Sequence, residues 1–217
     1  MVDYVAAIKR PLADTTTALV GIVVGAVPLV NLLVAGFGLE AANKTLNNDN
    51  SLPNWSNIAD ILVKAIMSLV VGFVYMIPAM VVLAVGGGSM AMQIMSGDMS
   101  GLLAGGAIML LGLLLAVIAG ILVPMALLHY LKGGLGKAFS IGSILKKCLT
   151  AKYLITVVVA IVYNIVLMAV AGVIGGALLL VPVIGFIVVF VVNGAVLYLG
   201  TVASYTMFAQ AFKEIKA

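Results

Sequence analysis

Between Lys152 and Lys213 the chain carries no charged residue, and between Lys64 and Lys132 the only one is Asp98. A membrane crossing takes about 20 mainly apolar residues for a hydrocarbon core roughly 30 Å thick, so each window holds enough for two crossings. A core of this size in water would need a charged shell. Eleven Lys and Arg with seven Asp and Glu cannot coat a chain of 217 residues that is 65% hydrophobic. Lipid must do that covering. The sequence therefore reads as an all-α polytopic transmembrane helical bundle, one integral membrane domain over residues 1–217.

Apolar runs lie near residues 16–39, 61–87, 102–131, 153–177 and 181–210. Counted plainly they give five spans, but Lys and Arg near span ends favour the cytoplasm. If residues 16–39 cross once, Lys9 and Arg10 face away from Lys132, Lys137, Lys146, Lys147 and Lys152. If that run turns back near Gly25-Ala26-Val27-Pro28, all eleven basic residues fall on one side. The connections at 87–101 and 176–183, which hold no Lys or Arg, then fall on the other. The second arrangement is preferred: about six hydrophobic segments in three hairpins, with both termini cytoplasmic. Its first pair is short or re-entrant, since residues 15–27 make only about 20 Å of helix. Such a turn at membrane depth must pack against protein or water. Lys9 and Arg10 ahead of an apolar run superficially resemble a signal peptide. Pro28 inside that run and the start at Met1 argue against cleavage.

Three stretches headed by an aromatic residue and ending in a basic one precede the apolar pairs: Tyr4 to Arg10, Trp55 to Lys64 and Phe139 to Lys147. They suit amphipathic helices in the membrane interface, with Tyr4, Trp55 and Phe139 as anchors at headgroup depth. Two pairs carry nearly the same turn, VPLVNLLV from Val27 and VPVIGFIVV from Val181, while Val123-Pro124 falls inside a helix. Weak repeats over 1–48, 49–134 and 135–217 are one reading. The general self-likeness of apolar sequence is the other.

The order of IKRPLAD, a Val-Pro turn leading to GFGLEAANKTL, LPNWSNIADILVKAI, a late VPVIGFI and the Ala- and aromatic-rich end from Tyr205 to Phe212 spans nearly the whole chain. In these features it resembles a family of archaeal and bacterial polytopic membrane proteins that is a domain of unknown function. LPNW followed by Asp60-Ile-Leu is the most distinctive part. The resemblance implies a cell-membrane protein from a prokaryote, in particular an archaeon, and brings no activity with it.

Ionisable groups inside a membrane are functional candidates by default, and here they are nearly absent. Glu40 and Asn43, three apart, share a helix face. They suit a cation, a neighbouring Lys at the bundle mouth, or simply a boundary where charge costs little. The only histidine, His129, has no Cys or acid at ligand spacing and makes no zinc site. Asp98, in a loop, lacks the second aspartate of an acid–base pair. Gly133 to Lys137 fails as a phosphate loop, because Leu131 stands where glycine is needed and Ala138 follows the lysine. No catalytic, metal or cofactor site is expected.

Asn164 and Asn193, with Tyr163, Tyr75 and Tyr198, are polar handles on apolar helices. They either bond between helices or line a narrow polar path. Gly21 and Gly25, Gly101 and Gly105, and Gly172 and Gly176 are each four apart, spaced for close helix contact within or between chains. Asn43-Lys-Thr45 and Asn54-Trp-Ser56 match the N-glycosylation pattern, which would reverse the orientation if used. Cys148, the only cysteine, rules out an internal disulfide. It reads as an interfacial thiol or a lipidation site. The dispersed basic residues form no nucleic-acid patch.

The function expected is non-enzymatic: a structural, accessory or membrane-organising scaffold whose partners are lipids and a second copy or another membrane protein. Its amphipathic helices could also bias curvature. The alternative is a channel or carrier for a small neutral or weakly polar solute.

Overall fold

The computed structural model describes residues 2–97, 101–178 and 182–215. It is 86% helical, with no strand among the described residues. The helices are α1 (Tyr4–Lys9), α2 (Thr15–Ala26), α3 (Leu32–Leu46), α4 (Ile58–Ser96), α5 (Leu102–Gly133), α6 (Leu135–Ala138), α7 (Ile141–Cys148), α8 (Ala151–Leu178) and α9 (Pro182–Glu214), with a 3-10 turn at Arg10–Leu12. Four are long and apolar enough to cross a membrane: α4, α5, α8 and Ile187–Glu214 of α9. They suggest membrane insertion. At 12 residues, α2 reaches only about 18 Å.

Local chemistry sets the breaks. Asp3 and Asp14 start α1 and α2 by accepting the N–H groups of Ala6 and Thr17 at 2.9 and 2.8 Å, which satisfies donors that a helix start leaves unpaired. Pro28 ends α2, because a residue before proline is pushed out of the helical region, and Val27 is extended at φ −91°, ψ 119°. The first apolar run is thus two helices. Two expectations change. The connection expected from residue 87 is helical as far as Ser96. Gly86-Gly87-Gly88 does not break α4; Gly86 takes a close backbone neighbour, as glycine in an apolar helix can, and Gly87 and Gly88 face open space. The stretch from Trp55 to Lys64 is not a separate helix either; from Ile58 it is the start of α4. Asp98 and the onset of the second Val-Pro turn, Val181, lie outside the described residues.

The chain forms two compact units, residues 1–68 with 125–217, and residues 69–124. In the first, α9 is the axis on which α1, α2, α3 and α8 pack. Glycines permit this. Gly21 faces the Tyr198 ring, and a Cβ on Gly25 would lie 2.7 Å from the Gly194 carbonyl oxygen. Gly36 lies against the Ile61 carbonyl, seating α3 on the first turns of α4. Phe37 fills the centre, stacked on Trp55 with centroids 4.3 Å apart and tilted towards Tyr198 at 5.7 Å.

In the second unit, residues 69–96 and 102–124 meet where glycines leave room. A Cβ on Gly86 would lie 2.8 Å from the Met109 nitrogen, and one on Gly112 would lie 3.0 Å from that of Leu83. Phe73, Leu110 and Leu114 are exposed, and the unit contains no Lys or Arg. Such a surface fits hydrocarbon.

Candidate functional site

The most elaborate polar arrangement centres on Arg10. Pro11 fixes its own φ and offers no N–H, so the chain leaves α1 through the 3-10 turn and carries Arg10 inward, where it is 7% exposed. Its Nη1 donates to the Ala41 carbonyl at 3.1 Å, Thr45 Oγ1 at 2.5 Å and Thr206 Oγ1 at 3.1 Å, and its Nη2 donates to the Ser51 carbonyl at 2.7 Å. The two hydroxyls spend their own protons on the Ala41 and Val202 carbonyls. They can only accept from Arg10, which fixes the fork. One side chain therefore ties the α1 exit to α3, α9 and the loop after α3.

Every one of those partners is neutral. Among the described residues no carboxylate is in contact with Arg10, and its Nε has no hydrogen-bond partner. Burial pulls the guanidinium below its ordinary value, opposed by the charge of Asp49 at longer range. Asp49 is already occupied, accepting from Ser51 N–H at 2.8 Å and pairing with Lys44 at 3.4 Å. The Ser51 bonds hold its carboxyl below the usual range.

A cavity of about 640 Å³ opens beside this cluster. Its lining combines the polar Lys9, Arg10, Asn50, Gln210 and Asp3 with the apolar Ala6, Leu12 and Ala13. Sequence reasoning treated Arg10 only as a marker of membrane side. Its signal was the Arg-Pro pair after an amphipathic turn.

The residues singled out from sequence fall in separate places. Glu40 and Asn43 share a face as expected, with Asn43 Nδ2 3.4 Å from Glu40 Oε2. The cation they meet is Lys64 of α4, 2.9 Å from Glu40 and also paired with Asp60. Asn164 donates to Ser204 Oγ at 2.9 Å, joining α8 to α9, with its amide oxygen against Gly200. Asn193 donates to the Val189 carbonyl at 2.8 Å and borders a separate cavity of about 320 Å³ with Asn31 and Pro28. Asn193 and Gly200 are about 10 Å apart along α9 at 1.5 Å per residue. Tyr163 is half-buried on α8.

Of the expected anchors, Tyr4 pairs its hydroxyl with Thr156 at 3.2 Å. Trp55 turns its indole onto Phe37 and donates to the Thr17 carbonyl at 3.1 Å. Phe139 is 38% exposed. His129 is within hydrogen-bond distance of its own helix, 2.9 Å from the Met125 carbonyl, and sits edge-on to Phe212. Cys148 is buried, and burial pushes its thiol up to about 12. No group of three or more His, Cys, Asp or Glu able to hold a metal occurs among the described residues.

A family model described as "Protein of unknown function (DUF4013)" matches residues 19–180. No curated protein and no solved structure matches the chain.

Proposed function

The chain belongs to the DUF4013 family, proteins of unknown function, and on that premise we propose that it is a non-enzymatic cell-membrane scaffold that packs with itself or with partner membrane proteins. The observation that carries this is how the intramembrane polar groups are used. Asn164 is spent on Ser204 beside Gly200, a helix-to-helix contact, and Asn193 lies elsewhere on α9. Asn164 joins α8 to α9, Asn193 bonds back to its own helix at the Val189 carbonyl, and the two do not converge on a reacting centre. Gly172 and Gly176 on α8 have open space where a side chain would stand, which suits a close-packed second copy.

The finer topology belongs to the same proposal. The α2–α3 pair dips into the membrane and returns, giving six segments with all Lys and Arg on the cytoplasmic side. Its support is the extended Val27 before Pro28 and the shortness of α2.

The test is self-association in liposomes, read by energy transfer between labelled copies. Gly172→Leu with Gly176→Leu should lower the association at least tenfold while leaving the helical content unchanged. Undiminished association would remove the basis for the scaffold reading. A channel or carrier is favoured by one observation, the cavity bordered by Asn31 and Asn193. Solute flux in proteoliposomes that is lost in Asn193→Leu would decide for it.

A further inference from the structure

We propose that the Arg10 cavity binds a phosphate group, carried there on a membrane phospholipid. The inference goes beyond the scaffold reading and does not depend on it.

A buried cation is normally paired with an anion or otherwise compensated. Arg10 is held by four neutral oxygens, and Asp49, whose charge acts on it without contact, is already taken up by Ser51 and Lys44. No acid among the described residues contacts it, so an anion from outside the chain would complete its compensation. The cavity beside it provides the room: about 640 Å³, within the range of ligand sites.

The lining then selects the ligand. Lys9 adds a second, exposed cation beside Arg10, and Asn50 and Gln210 add amides that can donate hydrogen bonds. Guanidinium and ammonium groups together with amide N–H donors are what oxyanions take. Asp3 opposes an anion, but one carboxylate oxygen is engaged at the Ala6 N–H, and Lys9 and Arg10 outnumber it. Part of the wall is apolar, with Ala6, Leu12 and Ala13, and Leu12 is exposed. A free ion leaves that wall bare. A phosphodiester with the first part of an acyl chain covers it, and the Tyr4–Lys9 helix with its terminal lysine is of the kind that lies at headgroup level.

Full-length protein, delipidated in detergent, is followed by thermal unfolding with added phosphatidylglycerol, phosphatidylcholine, diacylglycerol or inorganic phosphate. Both phospholipids should raise Tm by about 5 °C at a hundredfold excess over their half-effect concentration, and diacylglycerol should not. Lys9→Glu, at an exposed lining position, should raise the half-effect concentration at least tenfold, and Ala13→Glu should do the same from the apolar wall. Neither substitution removes a side-chain partner of the Arg10 guanidinium, and both positions are exposed, so the fold should be retained. If inorganic phosphate alone gives the full shift and Lys9→Glu abolishes it, the phosphate site stands and free phosphate is its occupant. If diacylglycerol works as well as the phospholipids, or both variants bind as the parent does, the proposal is wrong.

Discussion

Two buried cations of this chain, Lys64 and Arg10, are compensated in opposite ways. Lys64 sits between Glu40 and Asp60, whereas Arg10 has only neutral partners. Removing Lys64 leaves Glu40, whose side chain is 21% exposed, without its cation. Breaking a fully buried pair costs about 3–5 kcal/mol, so Lys64→Met should cost about 2 kcal/mol in this partly exposed setting, measured by thermal or denaturant unfolding in detergent. Adding Glu40→Gln should return most of that loss, and a double mutant no better than the single would show that the pair is not coupled. Spacing put Glu40 and Asn43 on one face but left a cation, a neighbouring lysine and a plain boundary charge open, and it did not single out Lys64. The Arg10 cluster was not legible, because Ala41, Thr45, Ser51 and Thr206 are neutral, ordinary and remote in sequence. Cys148 supplies a second check. Its folded thiol keeps its proton up to about 12 against an ordinary 9.0. Between those values the native state binds more protons than the unfolded one, so stability should fall as pH rises through that window. At pH 7.5 maleimide should modify the folded protein on the order of a hundredfold more slowly than the SDS-unfolded chain. Equal rates would mean that α7 does not bury this residue.

Among the elements, neither proline nor glycine punctuated the chain by itself. Pro28 follows the extended Val27 that ends α2, while Pro78 and Pro124 lie inside α4 and α5. The three glycines at 86–88 did not end α4 either; Gly86 packs against Met109, a partner absent from local sequence, while Gly87 and Gly88 face open space. The turn between α2 and α3 also contains a residue that local sequence gives no reason to place there. Leu29 has φ 69° and is 90% exposed. The left-handed region costs a non-glycine residue about 1–2 kcal/mol, and this side chain recovers little through packing. Leu29→Gly should therefore raise stability by about 0.5–1 kcal/mol after allowing for the looser unfolded chain. A rise in Tm of about 2–3 °C is expected for a chain of this length. Leu29→Val should lower it, since branching at Cβ aggravates the same clash. A destabilised glycine variant would show that Leu29 contributes contacts that outweigh its strain.

For the whole molecule, the distribution of charge reaches further than any single contact. Residues 69–124 hold no Lys or Arg, and all eleven basic residues belong to the other unit. Charge at this density is a topological instruction, since Lys and Arg flanking a span resist translocation. The number of helices able to cross follows from length and composition alone. The sidedness of the short α2–α3 pair does not, because a 12-residue helix is compatible with either a dip or a tilted partial crossing. Single cysteines resolve it. In a Cys148→Ser background, Lys9→Cys, Asn48→Cys, Lys147→Cys and Gly97→Cys place probes before α2, after α3, on α7 and after α4. Intact cells treated with a membrane-impermeant maleimide should label Gly97→Cys and leave the other three unlabelled until the membrane is opened. Labelling of Lys9→Cys from outside, with Asn48→Cys still protected, would mean that residues 16–39 cross once. That outcome would place Arg10 on the opposite side from Lys147 and contradict its contacts to Thr45 and Thr206. The same experiment therefore tests the charge rule and the Arg10 cluster together: a buried guanidinium bonded to both α3 and α9 requires the ends of those helices on one side of the membrane.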